Sequence, residues 1–324
     1  MKPVMTLKKL LATAVAASAL AASTSQAEES VYVATTAIVE HAALDSVRDG
    51  IKQTLKEQGY TDDNLKFTYE SAQGNPAIAA QIARKLVGEA PDVVVGISTP
   101  SAQSLASATR DIPVVFSAVT DPLSAKLVSS LEAPGGNVTG LSDKTPVAQH
   151  LDLIREFVPD MKKLGVPYNP GEPNAVAIVA ILKEEAAKRG IEIVEAPAPK
   201  SSDVMMASQK LIGTADAIYC PTDNTILTAL ESVVKVGIDG RLPVFSGDTG
   251  SVERGAVAAL GFNYFDIGRQ TGDVIVRILN GEKAGDIPVR VATGSDLFVN
   301  AKMAPLMGVE IPQAVRERAT KIIE

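Results

Sequence analysis

The chain has 324 residues, with 31 Lys and Arg against 38 Asp and Glu for a net charge of −7. That sign argues against a nucleic-acid partner, because phosphates demand a basic footprint. A single cysteine, Cys220, excludes an intrachain disulfide, and two histidines, His41 and His150, with no HExxH, CxxC or HxH spacing argue against zinc.

Residues 1–27 read as a secretory signal peptide. Lys2, Lys8 and Lys9 precede the apolar, Ala-rich run Leu10–Ala22, and Ser25-Gln26-Ala27 supplies small residues, so cleavage is expected after Ala27. The run is well short of the roughly 20 residues that cross a bilayer. No Cys follows it directly, which argues against a lipid anchor. The leader holds three of the 31 basic residues and no acid, so the mature chain sets 28 against 38, a net charge of −10. About 300 residues remain, too many for one core and right for two domains of ordinary size.

From there strands and helices alternate. The β-branched run Val31–Val39 predicts a strand, and Val47, Ile51 and Leu55 give Leu44–Gln58 a helical face that ends at Gly59. Leu65–Tyr69 alternates as a strand and Pro76–Val87 is an Ala/Ile helix. Strands are expected at Val93–Ile97, Val114–Phe116 and Val138–Leu141, with helices over Ser101–Ala108, Leu123–Leu131 and Val147–Phe157. The pattern then restarts with strand Leu164–Tyr168, helix Asn174–Arg189 closed by Gly190, strand Ile191–Glu195, a surface loop at Pro197–Ser202 and a helix over Asp203–Leu211. Strand Ala217–Cys220 leads into helix Thr225–Val236, followed by strands Val244–Phe245 and Ala256–Phe262. Ile267, Thr271, Val274 and Ile278 form one face of a helix over Ile267–Leu279, with Asp266 as N-cap and Gly281 as stop. Ile287–Asn300 is again strand-like. Such alternation predicts an α/β fold with mostly parallel sheets.

One device recurs. Asp92–Leu105 (DVVVGISTPSAQSL) and Asp216–Ala229 (DAIYCPTDNTILTA) share an acidic residue, an apolar run, a polar turn and a helical stretch, and Ile112–Asp121 pairs similarly with Leu242–Gly250. Two lobes with facing polar strand tips predict a cleft. Ligands of open parallel sheets sit beyond the carboxyl ends of the strands. The tips are Thr36 to His41, which includes Glu40, then Ser98-Thr99 and Thr120-Asp121 in the first half. In the second half they are Tyr168-Asn169, Thr222-Asp223-Asn224 and Gly247-Asp248. Ser98-Thr99 opens a helix whose hydroxyls and N–H groups suit a carboxylate. Asp121, Asp223 and Asp248 suit an ammonium group, and Tyr168 offers a ring face. A zwitterion such as an amino acid fits both ends. Each of these residues is also a good N-cap, and one residue can do both.

Asn169–Asn174 (NPGEPN) reads as a turn leading into a helix. Pro134–Asn137 (PGGN) is a turn, since no Lys or helix follows it in P-loop fashion. There is no GxSxG elbow, no GxGxxG after the first strand and no nucleophile partner for either histidine. Neither an enzyme nor a cofactor is expected.

The stretches Thr36–Gln53 (TAIVEHAALDSVRDGIKQ), Ile112–Pro122 (IPVVFSAVTDP), Leu131–Asp143 (LEAPGGNVTGLSD), Tyr168–Val176 (YNPGEPNAV), Ile218–Thr225 (IYCPTDNT) and Phe245–Gly272 carry a family resemblance. Across Val31–Ile311 the chain resembles the periplasmic solute-binding proteins of ABC transporters, in the group linked to tryptophan, tyrosine or phenylalanine uptake. The resemblance implies the type I periplasmic binding-protein fold, two Rossmann-like lobes with parallel sheets joined by three crossovers. It implies an N-terminal lobe of residues 28–145 and 264–286 and a C-terminal lobe of 146–263 and 287–324, with crossings near Ser142–Gln149, near Asn263 and after Ile287. The family's pocket positions map onto Glu40, His41, Ser98, Thr99, Thr120, Asp121, Tyr168, Asn169, Asp223, Asn224 and Asp248, with Asn263 at a crossing. The chain departs from the family at Ala175, where Ser is common, and at Pro167 inside its strand. The implied function is capture of an amino acid or analogue in the periplasm, by a monomer that delivers it to ABC permease and ATPase subunits. With no Trp in the chain, an aromatic ligand must pack on Tyr, Phe or aliphatic groups. The alternative is a periplasmic sensor that uses the same cleft to feed a chemoreceptor or sensor kinase.

Overall fold

The computed structural model describes residues 30–293 and 295–324, so the expected signal peptide lies outside the described residues. The first lobe is built from β1 (Val31–Ala37), α1 (Ala42–Glu57), β2 (Leu65–Ser71), α2 (Pro76–Gly88), β3 (Val93–Ile97), α3 (Thr99–Ala108), β4 (Val114–Val119) and β5 (Val138–Ser142). The chain then crosses to the second lobe. There it forms α4 (Val147–Phe157), β6 (Lys163–Tyr168), α5 (Pro173–Lys188), β7 (Glu192–Pro197), α6 (Val204–Gln209) and β8 (Ala217–Cys220). It continues through α7 (Asn224–Thr228), α8 (Leu230–Gly240), β9 (Val244–Ser246), α9 (Gly250–Glu253) and β10 (Ala258–Gly261). α10 (Tyr264–Leu279) and β11 (Arg290–Val291) return to the first lobe, and β12 (Asp296–Asn300), α11 (Met303–Leu306), α12 (Gln313–Arg318) and β13 (Lys321–Ile323) complete the second.

The first sheet runs β11-β5-β4-β3-β1-β2 and the second β13-β12-β10-β9-β8-β6-β7, with β10–β12 the antiparallel pair. Parallel strands covered on both faces are apolar throughout, which is why β3 (VVVGI) and β4 (VVFSAV) are buried at every position. Each lobe has its own core, around Ile51, Leu86 and Phe116 in the first and around Leu151, Tyr219 and Phe245 in the second. In the first lobe α1 and α10 touch backbone to backbone: a Cβ on Gly50 would collide with the Phe265 carbonyl oxygen, and one on Gly268 with that of Val47.

Four local expectations change. Leu123–Leu131 forms turns rather than a helix, because Asp121 caps the N–H groups of Leu123 and Ser124 while Lys126 takes φ +57°. Thr225–Val236 divides at Ala229 into α7 and α8. The cap of α10 is Asn263, whose Oδ1 accepts from Phe265 N at 3.0 Å and Asp266 N at 3.3 Å, so the helix starts three residues before Ile267. Finally, β11 pairs with β5, and Ile287, Val289 and Ala292 pack in the first core, so the third crossing falls between Ala292 and the start of β12 at Asp296. The other crossings lie at 143–146 and 262–263. Pro167 is accommodated because β6 pairs with β8 only at Leu164 and Gly165. Among the described residues no helix is long and apolar enough to cross a membrane.

Candidate functional site

Strand order reverses between β1 and β3 in the first sheet and between β6 and β8 in the second. Loops splay apart at such switch points and leave a crevice. Here the crevices of the two lobes face each other and enclose a small cavity of about 20 Å³. The first lobe lines it with His41 and Leu44 at the start of α1, Ser98 and Thr99 at the start of α3, Ala118 and Thr120 at the end of β4, and Tyr264 at the start of α10. Asp143 lines it from the first crossing, and Asn174, Thr222, Asn224 and Leu227 from the second lobe. At this degree of closure the cavity has room for a single water. Beside it a groove of about 730 Å³ opens between α2, α3 and the turn at residues 169–173.

Five polar atoms in the lining are buried without a hydrogen-bond partner: Ser98 Oγ, Thr99 Oγ1, Asp143 Oδ1, Asn174 Oδ1 and Thr222 Oγ1. Each such group costs about 1–3 kcal/mol when left unpaired, and buried polar groups in folded proteins are normally paired. Ser98 and Thr222 occupy equivalent places in the repeated device, just past β3 and β8. The backbone adds its own cost, because Ser98 takes φ +81° and Ala118 φ +53°, where residues with a Cβ are strained.

Asp143 accepts a hydrogen bond on Oδ2 from the Tyr264 hydroxyl at 2.9 Å. Burial pushes its carboxyl up to about 6, with the Tyr264 hydrogen bond opposing, and also drives the Tyr264 hydroxyl well above its ordinary value. In the second lobe the buried carboxylate of Glu172 gathers five donors. Its Oε2 accepts from Asn224 Nδ2 at 2.6 Å, Asn224 N at 3.1 Å and Asn174 Nδ2 at 3.3 Å. Its Oε1 accepts from Thr225 Oγ1 at 2.7 Å and Thr225 N at 3.0 Å. His41 Nε2 meets Asn224 Oδ1 at 3.4 Å, a contact from one lobe to the other. Desolvation lowers the His41 pKa, with the charge of Asp248 opposing.

Of the residues expected from sequence, His41, Ser98, Thr99, Thr120 and Asn224 line the cavity. The others stand elsewhere. Glu40 is exposed. The three carboxylates assigned to an ammonium group spend their oxygens on backbone N–H groups. Asp121 caps its turn through Leu123 N and Ser124 N. Asp223 takes Asn169 N at 2.5 Å and Ile226 N at 3.0 Å, and its pKa rises to about 8 through burial and then the nearby Glu172 charge. Asp248 caps α9 through Gly250 N at 3.2 Å and Ser251 N at 3.0 Å. Tyr168 directs its hydroxyl to Glu195 Oε2 at 2.8 Å rather than offering a ring to the cavity. Asn169 ties Asp223 to Thr225 and lines the wider groove. Asn263 caps α10 and shares with Asp248 a separate shallow groove of about 250 Å³.

Asp143, Asn174 and Tyr264 were absent from the expected set, though each had a signal. Asp143 directly follows β5, Asn174 ends the NPGEPN turn, and Tyr264 directly follows the second crossing. His150 lies apart in the second lobe, its Nδ1 bonded to Tyr219 OH at 2.7 Å. Among the described residues no group of three or more His, Cys, Asp or Glu side chains is placed to hold a metal. The site therefore consists of hydroxyls, amides and one buried carboxylate with free valences, which is equipment for holding a polar solute.

The chain is similar to known binding proteins. A tyrosine-binding protein of Clostridioides difficile (strain R20291) is 39% identical over 264 residues, 81% of this chain and 76% of that one. An ABC domain from Streptococcus pneumonia, solved with L-Trp, is 36% identical with a TM-score of 0.88, covering 91% of this chain and 100% of that one. A substrate binding protein with adhesive properties from Clostridium difficile, solved ligand-free and open, is 37% identical with a TM-score of 0.69, covering 90% and 99%. At nearly equal identity the chain thus superposes far better on the tryptophan complex than on the open form. Two Rossmann-like lobes joined by three crossovers, and a match over residues 32–323 to the family described as ABC transporter substrate binding protein, place this chain in that family of binding proteins, which are not enzymes.

Proposed function

We propose that the protein is the periplasmic substrate-binding component of an ABC importer and that it carries an amino-acid-like solute, aromatic by its kinship with tyrosine and tryptophan binders. The observation that carries this reading is the convergence of five unpartnered buried polar atoms on one interlobe cavity. The ligand ammonium is assigned to Asp143, whose free Oδ1 supplies a charge-assisted acceptor. The carboxylate is assigned to the hydroxyls of Ser98 and Thr99 and to the N–H groups at the start of α3, where the helix dipole adds to the attraction. Tyr264, Leu44 and Leu227 supply the apolar contact.

A ligand can reach the enclosed cavity only if the lobes part, so binding involves a hinge at the three crossings, and lining side chains give way to hold anything larger than one water. The ligand contacts both lobes only when they approach, and that differential contact shifts the population toward the closed form. The leader at residues 1–27 accounts for export, and permease and ATPase subunits are the receiving partners. Thermal-shift titration with the twenty amino acids is the test. At least one aromatic amino acid is expected to stabilise the protein with a Kd of about 1 μM or below, roughly 8 kcal/mol of binding. Stabilisation by none of them defeats the assignment.

A further inference from the structure

Glu172 makes no contact with the ligand space through a free atom, yet it determines what the second-lobe wall presents there. A carboxylate can only accept hydrogen bonds, so an amide bonded to it must turn its NH2 inward. Glu172 Oε2 holds both Asn174 and Asn224 in this way, and Asn174 Nδ2 is fixed a second time by the Thr222 carbonyl oxygen at 2.9 Å. Both carbonyl oxygens are then forced outward. Asn174 Oδ1 is left unpartnered in the cavity, and Asn224 Oδ1 faces His41. Because Asn224 Oδ1 only accepts, His41 must carry its proton on Nε2 to complete that contact.

We propose that Glu172 is a positioning residue that sets the hydrogen-bond polarity of the cleft, making its second-lobe wall a set of acceptors that selects ligands bearing an ammonium group. Asn174 Oδ1, turned outward by Glu172, and Asp143 Oδ1, which lines the same cavity, are fixed acceptors, and the Thr222 hydroxyl, free to accept as well as donate, completes the three that an ammonium group can fill. The opposite wall, at Ser98 and Thr99, offers hydroxyl and backbone donors. The cleft is therefore polar in one direction, and an amino acid can enter in one orientation only. The inference rests on the amino-acid reading of the cleft and extends it to the residue that enforces the selection.

Calorimetry with L-tryptophan and with indole-3-propionate, the same molecule without its amine, tests it. The wild-type mature protein is expected to prefer tryptophan at least 100-fold. Glu172→Gln, which donates as well as accepts and lets the amides turn, should reduce that preference at least tenfold, and Glu172→Asp should restore part of it. Equal losses for both ligands, or an intact preference, overturn the proposal. Should Glu172→Gln not fold, Asn174→Ala removes one outward carbonyl and leaves Glu172 four of its five donors. It should weaken tryptophan about tenfold and leave the propionate unchanged, and equal weakening overturns the proposal. Wild-type protein that binds both ligands alike defeats the polarity proposal alone. Binding of neither ligand, nor of any other amino acid, defeats the functional reading beneath it.

Discussion

Tyr264 donates its hydroxyl hydrogen to Oδ2 of Asp143, while Oδ1 of the same carboxylate is buried in the interlobe cavity with no partner. Asp143 stands on the first crossing between the lobes and Tyr264 immediately follows the second. The pair therefore fastens two hinge strands together and holds the carboxylate proposed to receive the ligand's charge. Ligand charge and hinge geometry meet at one contact.

Asp143→Asn should separate stability from binding. The Asp143 pKa is raised to about 6 from an ordinary 3.8, so its burial favours the folded state at low pH, and that contribution is lost as the pH rises through 6. The shift corresponds to about 3 kcal/mol. At pH 7.5 the Asn variant, free of ligand, should melt a few degrees higher than wild type, yet bind amino acids at least about 100-fold more weakly. In the wild type, affinity should fall as the pH drops from 7 to 5 and the carboxylate is neutralised. Melting curves with and without ligand at both pH values check this; undiminished affinity in the variant contradicts it.

Ser98 carries two costs that substitutions can divide. Its φ of +81° is strained for any residue with a Cβ, and its hydroxyl is unpaired. Ser98→Gly should relieve the backbone and raise ligand-free stability by about 1 kcal/mol, while weakening ligand binding roughly tenfold through the lost hydroxyl. Ser98→Ala keeps the strain and loses only the hydroxyl, so it should show the binding defect without the full stability gain. Urea denaturation and calorimetry on the two variants distinguish the backbone from the hydroxyl; equal stability in both would assign no strain to this position.

The secondary structure was most legible where one physical pattern dominates. β3, α4 and β8 lie at Val93–Ile97, Val147–Phe157 and Ala217–Cys220, the bounds read from their apolar runs. Leu123–Leu131 misled because Ala125, Leu127 and Val128 pack into the core from a loop while Leu123 is exposed, and nothing in their spacing reveals the positive φ of Lys126. The repeat pointed to the tips at Ser98 and Thr222, both of which line the interlobe cavity. The carboxylates were harder. Asp121, Asp223 and Asp248 each precede a turn or helix whose N–H groups occupy the oxygens at once. Asp143 is followed by extended chain, and α4 begins only at Val147 with Pro146 at its cap. Whether a strand-tip Asp is spent or free depends on the three residues after it and on the element they start, a distinction that residue type alone does not carry.

His41→Ala tests the contact between lobes. His41 Nε2 and Asn224 Oδ1 meet only when the lobes are closed, so the variant should leave each lobe's folding intact and shorten the lifetime of the bound state. A threefold to tenfold faster dissociation, with little change in association, is the rough expectation for one long neutral hydrogen bond. The His41 pKa is lowered, chiefly by burial, so its contribution to closure is present above the ordinary value of 6.5 and is lost as the pH falls through the lowered one. Dissociation should therefore quicken on acidification in the wild type, and the part of that acceleration due to His41 should vanish in the variant. Stopped-flow displacement at pH 7.5 and 5.5 measures both; identical rates for the two proteins at pH 7.5 remove His41 from closure.

Gly268→Ala addresses the framework that holds Tyr264 over Asp143. Gly268 lies one turn into α10 beyond Tyr264, where a Cβ would collide with the Val47 carbonyl oxygen of α1, and Gly272 one turn further on would meet Thr54 Cβ at 2.6 Å. Backbone cannot withdraw as a flexible side chain can, so α10 must shift. Overpacking of this kind costs about 1–3 kcal/mol, and here it should also weaken ligand binding, because a displaced α10 carries Tyr264 away from the carboxylate. Gly88→Ala at the end of α2, with nothing within 4 Å, is the control and should be neutral or slightly stabilising. Urea midpoints and ligand affinity measured together decide the point: a Gly268→Ala protein as stable as wild type would mean that α1 and α10 can separate freely, and a destabilised one with full affinity would mean that the Tyr264–Asp143 contact does not depend on their packing.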